Sequence, residues 1–278
     1  MPELPEIRAH AERLTDAYGG ATLDQVELLS FTVLKTAVPP IDSLAGERVD
    51  SVGQRGKYLL ARFAPATIVV HLMQGGRLRP DPKAAKRPRN GLARLRFDTG
   101  PPLLLTEAGT QKRAGVWVLA GDAEASEPLA SLGPDADTVS ADQLVALGRA
   151  HPMRLHGFLR DQRIVAGVGR RLANEICHRA RLSPFTATKS LTAAQAEVIV
   201  EAIGACVAES LATERARNDM SSSAERPSAV HHRTGEACPT CGDEVRAIEY
   251  SGYTINYCAA CQTGGKVLAD NTTSRFLK

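Results

Sequence analysis

Cys238-Pro-Thr-Cys241, then sixteen residues, then Cys258-Ala-Ala-Cys261, is the stretch on which the reading of this 278-residue chain turns. The pattern is C-x2-C-x16-C-x2-C, within the spacing of a four-thiolate zinc ribbon. Each Cys pair makes a tight knuckle so that two sulfurs reach one ion, and the residues between the pairs have room for a β-hairpin. Disulfides and chance are the competing accounts, and a reducing cytosol disfavours the first. A module below ~50 residues has too little core to fold alone, so zinc supplies the folding energy. Four protein ligands leave no open position, which makes the zinc structural. Cys177 and Cys206 lie in helical patterns and read as core residues.

Upstream of the ribbon, Asn218 to Ser228 is polar and Ser-rich, and reads as a mobile loop. Before it, Thr192-Ala-Ala-Gln195 and Ser140-Ala-Asp-Gln143 both fit the capping box that opens a helix. The later helix runs to about Leu211, with Ile199, Ile203, Val207 and Leu211 on one face. The acidic stretch around Gly121–Asp137 reads as a linker. From Ala21 to Val118 short β-rich runs alternate with Gly, Pro and Asp turns, which suits a β-sandwich. Pro5 to Tyr18 is helical, with Ile7, Ala11, Leu14 and Tyr18 on one face. The expected fold is α+β and multidomain: an N-terminal β-sandwich with a helix over 1–121, a helical domain over 138–228, and the ribbon over 229–278.

Composition sets the class. The chain is 43% hydrophobic and 23% charged, enough for a packed core. No apolar run approaches the ~18–20 residues of a membrane span, and the N-terminus carries no secretory signal. The reading is a soluble, intracellular, monomeric protein. Net charge is only +3, but it is unevenly placed. Arg77 to Arg96 holds eight Lys/Arg and one acid, and His151 to Phe185 holds seven Arg against Asp161 and Glu175. Such runs attract phosphate, although any one of them alone is equally a solvated face.

Met1-Pro-Glu-Leu-Pro-Glu6 opens the chain. Loss of Met1 would leave Pro2 with a secondary amine able to form an iminium on an aldehyde-like carbon, with Glu3 as acid or base beside it. A proline at position 2 is more often only a proline. Here, however, the N-terminal motif, Gln54-Arg-Gly-Lys57-Tyr-Leu-Leu, Val70-His-Leu72, Asp161-Gln162, Gly167-Val-Gly169, Asn174-Glu175 and a ribbon ending Cys261-Gln262 follow in order. Together they resemble the formamidopyrimidine-DNA glycosylase / endonuclease VIII family, from Pro2 to beyond Gln262.

That resemblance implies a β-sandwich, a helix-two-turn-helix region and a zinc β-hairpin finger, with duplex DNA holding a damaged base or abasic site in the cleft between them. It implies a bifunctional glycosylase and AP lyase in the cytoplasm at the nucleoid. The damaged nucleotide leaves the stack, Pro2 attacks C1′, and the Schiff base allows β- or β,δ-elimination. By position Pro2 matches the nucleophile, Glu3 the acid/base, Glu6 a second acid, and Lys57, expected on a β-strand, a phosphate-contacting lysine used in elimination. His71 lies in a matched motif and is expected among the DNA contacts, and Glu175 is expected to be structural or orienting.

The chain departs from the family at DNA-contacting positions. Arg170 stands for an Asn that binds phosphate, Tyr253 for a finger Arg, and His156 for a Lys. Ala114 stands for a Phe wedge and Gln74, next to Met73, for a Met wedge, so Gln74, Lys112 or Arg113 would act as polar wedges. A lyase without glycosylase activity and a non-catalytic reader of damaged DNA are the alternatives. A zinc-ribbon RNA binder ranks below them, because 4% aromatic content suits poorly a reader that stacks bases.

Overall fold

Helix α1, Leu4–Tyr18, begins where the sequence supplies its own cap. Glu3 is the N-cap, and a reciprocal capping box joins it to Glu6, whose Oε2 accepts from the Glu3 N–H at 2.9 Å. The computed structural model describes residues 1–219, 226–250 and 252–269. The middle of the expected Asn218–Ser228 loop, 220–225, lies outside the described residues.

Two compact units result, one of residues 1–131 with 211–219, the other of 132–210 with the described residues from 226 onward. The first holds eight strands in two antiparallel sheets. One sheet has the order β1 (Leu23–Leu28), β6 (Gly91–Phe97), β7 (Leu103–Glu107), β5 (Gly76–Pro80). The other has β2 (Ser51–Arg55), β3 (Tyr58–Arg62), β4 (Ala66–His71), β8 (Gly115–Ala120). Leu23, Leu95 and Leu105 from the first sheet meet Leu59, Val70 and Val118 from the second in one buried cluster, as a sandwich requires. Helix α1 adds Ile7, Ala11, Leu14 and Tyr18 to it and packs on β2 and β3, where Thr15 Oγ1 donates to the Val52 carbonyl at 2.8 Å. Residues 211–219 join this unit through Arg215, which grips Glu12 at 2.6 and 2.8 Å, and Arg13, which donates to the Glu214 carbonyl at 3.0 Å.

The second unit is helical, with α2 (Ala141–Ala150), α3 (Leu155–Arg160), α4 (Arg170–Arg179) and α5 (Ala193–Arg215, whose last turn belongs to the first unit). Both predicted capping boxes form: Gln143 N–H donates to Ser140 Oγ and Gln195 N–H to Thr192 Oγ1, each at 3.2 Å. A hairpin of β9 (Val245–Tyr250) and β10 (Tyr253–Cys258), followed by α6 (Ala259–Thr263), packs within the same unit, with Ile248, Tyr257 and Ala259 against Phe185. The Gly121–Asp137 stretch is more structured than a linker. Leu129 and Ala136 are buried, and the Ala136 and Ala166 N–H groups bond to carbonyls across the two segments at 2.9 and 2.8 Å. Acidic side chains there face water while the apolar ones pack, which composition alone does not reveal. Among the described residues no helix is long and apolar enough to cross a membrane.

Candidate functional site

In the first unit Pro2, Glu3 and Glu6 are all buried at the start of α1. The capping box fixes both carboxylates relative to the chain entering the helix, directly after Pro2. Lys57, expected on a strand, instead occupies the two-residue turn joining β2 to β3. Gly56 makes that turn possible by taking a positive φ of 54°, and Lys57 is only 4% exposed. A lysine buried so deeply is not a solvated edge residue. Since α1 lies on β2 and β3, the sandwich holds the candidate amine, two acids and a lysine on adjoining elements. His71 ends β4 opposite Tyr58, their rings 4.5 Å apart, and its Nδ1 accepts from the Met73 N–H at 3.1 Å. Burial, and then the charge of Lys57, lower its pKa to about 4, so the ring is neutral.

In the second unit the four ribbon thiols converge, with all ligand atoms within 4.8 Å of one another. The Cys238–Cys261 and Cys241–Cys258 sulfur separations are 3.9 and 3.4 Å. Tetrahedral zinc with Zn–S of ~2.3 Å places sulfurs about 3.8 Å apart, so the donor set fits zinc. Around it, His178 Nε2 of α4 lies 3.3 Å from Cys238 Sγ, and Asp243 Oδ2 accepts from the Ala260 N–H at 3.1 Å. Gln262 accepts from the Cys258 N–H at 2.9 Å and donates to the Leu182 carbonyl at 3.0 Å, tying the knuckle to the loop after α4. Cys177 and Cys206 are buried in α4 and α5, and burial raises both thiols, Cys206 to about 12, which leaves neither as a thiolate nucleophile.

Helix α4 organises this unit. The Gln162 amide ties the preceding loop together, donating to the Arg160 and Val168 carbonyls and accepting from the Gly167 N–H, at 2.7, 2.9 and 2.9 Å. Glu175 accepts from three successive backbone N–H groups, Ala229, Val230 and His231, at 2.7, 3.1 and 2.9 Å. The carboxylate therefore anchors the segment that leads into the ribbon.

Residues 1–113 match the formamidopyrimidine-DNA glycosylase N-terminal domain model, and 131–222 match the H2TH domain model of the same enzymes. An uncharacterized formamidopyrimidine-DNA glycosylase-like protein of Mycobacterium tuberculosis is 38% identical over 150 residues, covering 53% of this chain and 95% of that one. The chain belongs to the formamidopyrimidine-DNA glycosylase / endonuclease VIII family. The formamidopyrimidine-DNA glycosylase of Pectobacterium atrosepticum is 29% identical across 94% of this chain and all of its own. The wild-type Lactococcus lactis family member, solved with DNA containing N7-benzyl-Fapy-dG, shares the fold at TM-score 0.85 and 21% identity, covering 94% of this chain and 100% of its own.

Within the family frame, the departures have definite surroundings. Ala114 is buried, and its N–H and that of Arg113 both donate to Glu107, at 2.8 and 2.6 Å. Lys112 donates to Asn90 Oδ1 at 3.1 Å, whereas Gln74 and Arg113 are exposed. Arg170 is exposed in the first turn of α4. His156 is 1% exposed, and its ring stacks on Tyr253 at 5.7 Å between centroids and 19° between planes. Burial, and then the charge of Arg160, lower its pKa to about 3. A neutral, buried His156 presents no charge at the surface. Sequence reading missed Arg160, whose Cζ lies 3.9 Å from the centre of the Tyr253 ring, and His178 at the thiol cluster. Their i, i+4 spacing from His156 and arrival one turn after Glu175 or Asn174 were visible, but nothing in the chain marks their partners.

Proposed function

We propose that this chain is a base-excision-repair DNA glycosylase with AP lyase activity, acting on double-stranded DNA that holds a damaged base or an abasic site. The observation that carries the reading is the buried Pro2–Glu3–Glu6 start of α1, lying on the strands whose turn carries buried Lys57. The L. lactis relative, solved with DNA containing a modified base, supports the ligand class.

Removal of Met1 frees the Pro2 nitrogen. It attacks C1′ as the C1′–N bond to the base breaks, and the base leaves with that electron pair and takes up a proton; the Pro2 nitrogen gives up its own proton, the C1′–O4′ bond breaks with O4′ taking a proton, and an iminium is left at C1′. Glu3 and Glu6 are the acids placed to hold and pass protons at that centre. Loss of a C2′ proton then sends its electron pair into the C2′–C3′ bond as the 3′ phosphate departs, with Lys57 beside the developing charge. Water hydrolyses the iminium and restores the amine. In this reading Lys57, His71, Gln74, Lys112, Arg113, His156, Arg170, Glu175 and Tyr253 are DNA-contacting or DNA-positioning residues. Cys238, Cys241, Cys258 and Cys261 hold one structural zinc. The working parts are a catalytic sandwich over 1–121, a helix-two-turn-helix domain over 138–228 and a zinc finger over 229–278, in a cytoplasmic, nucleoid-associated monomer.

Borohydride trapping on a duplex with one abasic site tests the chemistry. A covalent adduct that disappears in Pro2→Gly is the expected result. Tight binding without any adduct would instead select the non-catalytic reader, with Arg170 and Tyr253 at DNA-contacting positions as the reason. An adduct with abasic DNA, but no base release from any damaged duplex, would select a lyase alone.

A further inference from the structure

Phe31, on the connection between β1 and β2, is 100% exposed. The backbone on either side of it is fixed. The Leu29 and Ser30 N–H groups both donate to the Leu92 carbonyl, at 2.9 and 3.1 Å, and Ser30 Oγ lies 3.1 Å from Thr32 Oγ1. Val33 is buried in the sandwich core; the Lys35 N–H donates to the Val116 carbonyl and the Val116 N–H to the Val33 carbonyl, each at 2.8 Å. A phenyl ring held in water by a pinned turn meets a partner with little further ordering of the chain.

The pairing fixes the end of the sheet at which the ring lies. Leu34 bridges Val116 in parallel, so the residues before Leu34 lie toward Gly115 and Ala114, not toward Ala120. Phe31 is three residues from Leu34, at most about 11 Å of chain. β4 runs antiparallel to β8 with His71 opposite Gly115, and Tyr58 of β3 stands opposite His71. Lys57, Gln74 and Arg113 therefore flank the strands at the same end as Phe31. Lys112 donates to Asn90, two residues from the carbonyl that holds Leu29 and Ser30. Ala114, directly before β8, is buried and has no ring.

We propose that Phe31 stacks on a nucleobase of the bound duplex beside the damaged or abasic position. This rests on the DNA-repair reading and deepens it, because it assigns a base contact to a residue that no motif marks. A nucleotide rotated out of the helix leaves a gap whose flanking bases have lost a stacking neighbour, and an apolar ring entering there restores one. The β1–β2 turn thus supplies the aromatic surface that Ala114 lacks.

The test is binding of the zinc-loaded, full-length protein to a labelled duplex with one abasic-site analogue and to the matched intact duplex, by anisotropy across a salt series. Phe31→Ala is expected to weaken affinity for the abasic duplex about tenfold to a hundredfold. The slope of log K against log salt should stay at the wild-type value, because no charge is removed, and the intact duplex should lose far less. Phe31→Trp should keep the affinity, and its added fluorescence, over that of Trp117 in the wild type, should be quenched by the abasic duplex. The ring makes no core contact, so these variants should fold, and melting temperature checks that they do. Wild-type affinity in Phe31→Ala, or no quenching in Phe31→Trp, would overturn the proposal while leaving the DNA reading intact. An equal loss on both duplexes would also overturn it, since the contact would then not lie at the gap. A wild-type chain that binds neither duplex would overturn both the proposal and the DNA reading.

Discussion

Replacing Glu175 by Ala removes the acceptor of three consecutive backbone N–H groups at 2.7–3.1 Å. Hydrogen bonds to a charged group are each worth ~1.5–3 kcal/mol, so the simple sum is roughly 4–9 kcal/mol. The carboxylate is only half-buried, and water can enter to serve the released donors. The net loss for the segment is therefore about 2–4 kcal/mol. Glu175→Gln keeps the shape and one carbonyl acceptor but turns an amide N–H₂ toward the donors, and should lose about half as much. Amide hydrogen exchange on the zinc-loaded protein reads these protons directly. Exchange at Ala229, Val230 and His231 should accelerate about 30- to 700-fold in Glu175→Ala, at ~1.4 kcal/mol per factor of ten. The β2–β3 hairpin in the other unit should exchange as before. Protection at all three residues within about threefold of wild type would refute the anchoring role of Glu175, since that small a change corresponds to under ~0.7 kcal/mol.

Other consequences can be measured alongside. Lys57→Ala should lower the yield of borohydride-trapped adduct and weaken binding to abasic duplex, and wild-type trapping rates would exclude Lys57 from the elimination step. Cys258→Ser should abolish stoichiometric zinc and unprotect the β9–β10 hairpin, as metal analysis and hydrogen exchange will show. His178→Phe should weaken zinc in a chelator competition by about tenfold, in line with loss of a partner that orients a ligand; unchanged competition would make His178 a packing residue only. Burial lowers His10 to about 4 and His156 to about 3. The unfolded chain takes up these protons from about pH 6.5 downward and the folded chain does not. Stability is therefore full above that pH and falls as pH drops toward 4, with each histidine costing about 2 kcal/mol at pH 5. His10→Leu should flatten the urea midpoint between pH 7.5 and 5 by its share; a slope equal to wild type would show that His10 titrates alike in both states.

Local signals carried much of the fold. The two capping boxes, the Ile7–Ala11–Leu14–Tyr18 face and the CxxC pairs each depend on residues a few positions apart, and each formed as the pattern requires. The failures share one cause. Lys57 precedes the strand-like Tyr58-Leu-Leu run, but Gly56 permits a turn that takes in Lys57 itself, and the lysine is buried there. Gly121–Asp137 looked solvated because it holds five acids and no base, yet Ala123, Leu129 and Ala136 are buried. Composition averages over a segment, whereas burial is decided side chain by side chain.

The sequence by itself determined the residue types present: a proline at position 2 before two acids, four thiols at metal spacing, and clustered arginines. These rest on residue type and short spacing, which survive without coordinates. Only the tertiary structure decided how distant residues divide the work. Glu175 meets backbone 54 to 56 residues away, His178 meets Cys238 60 residues on, and the Tyr253 ring lies 3.9 Å from Arg160 Cζ. Such pairings depend on how helices and hairpin close on one another, and that closure is set by the summed burial of many side chains, so no single stretch of sequence announces it.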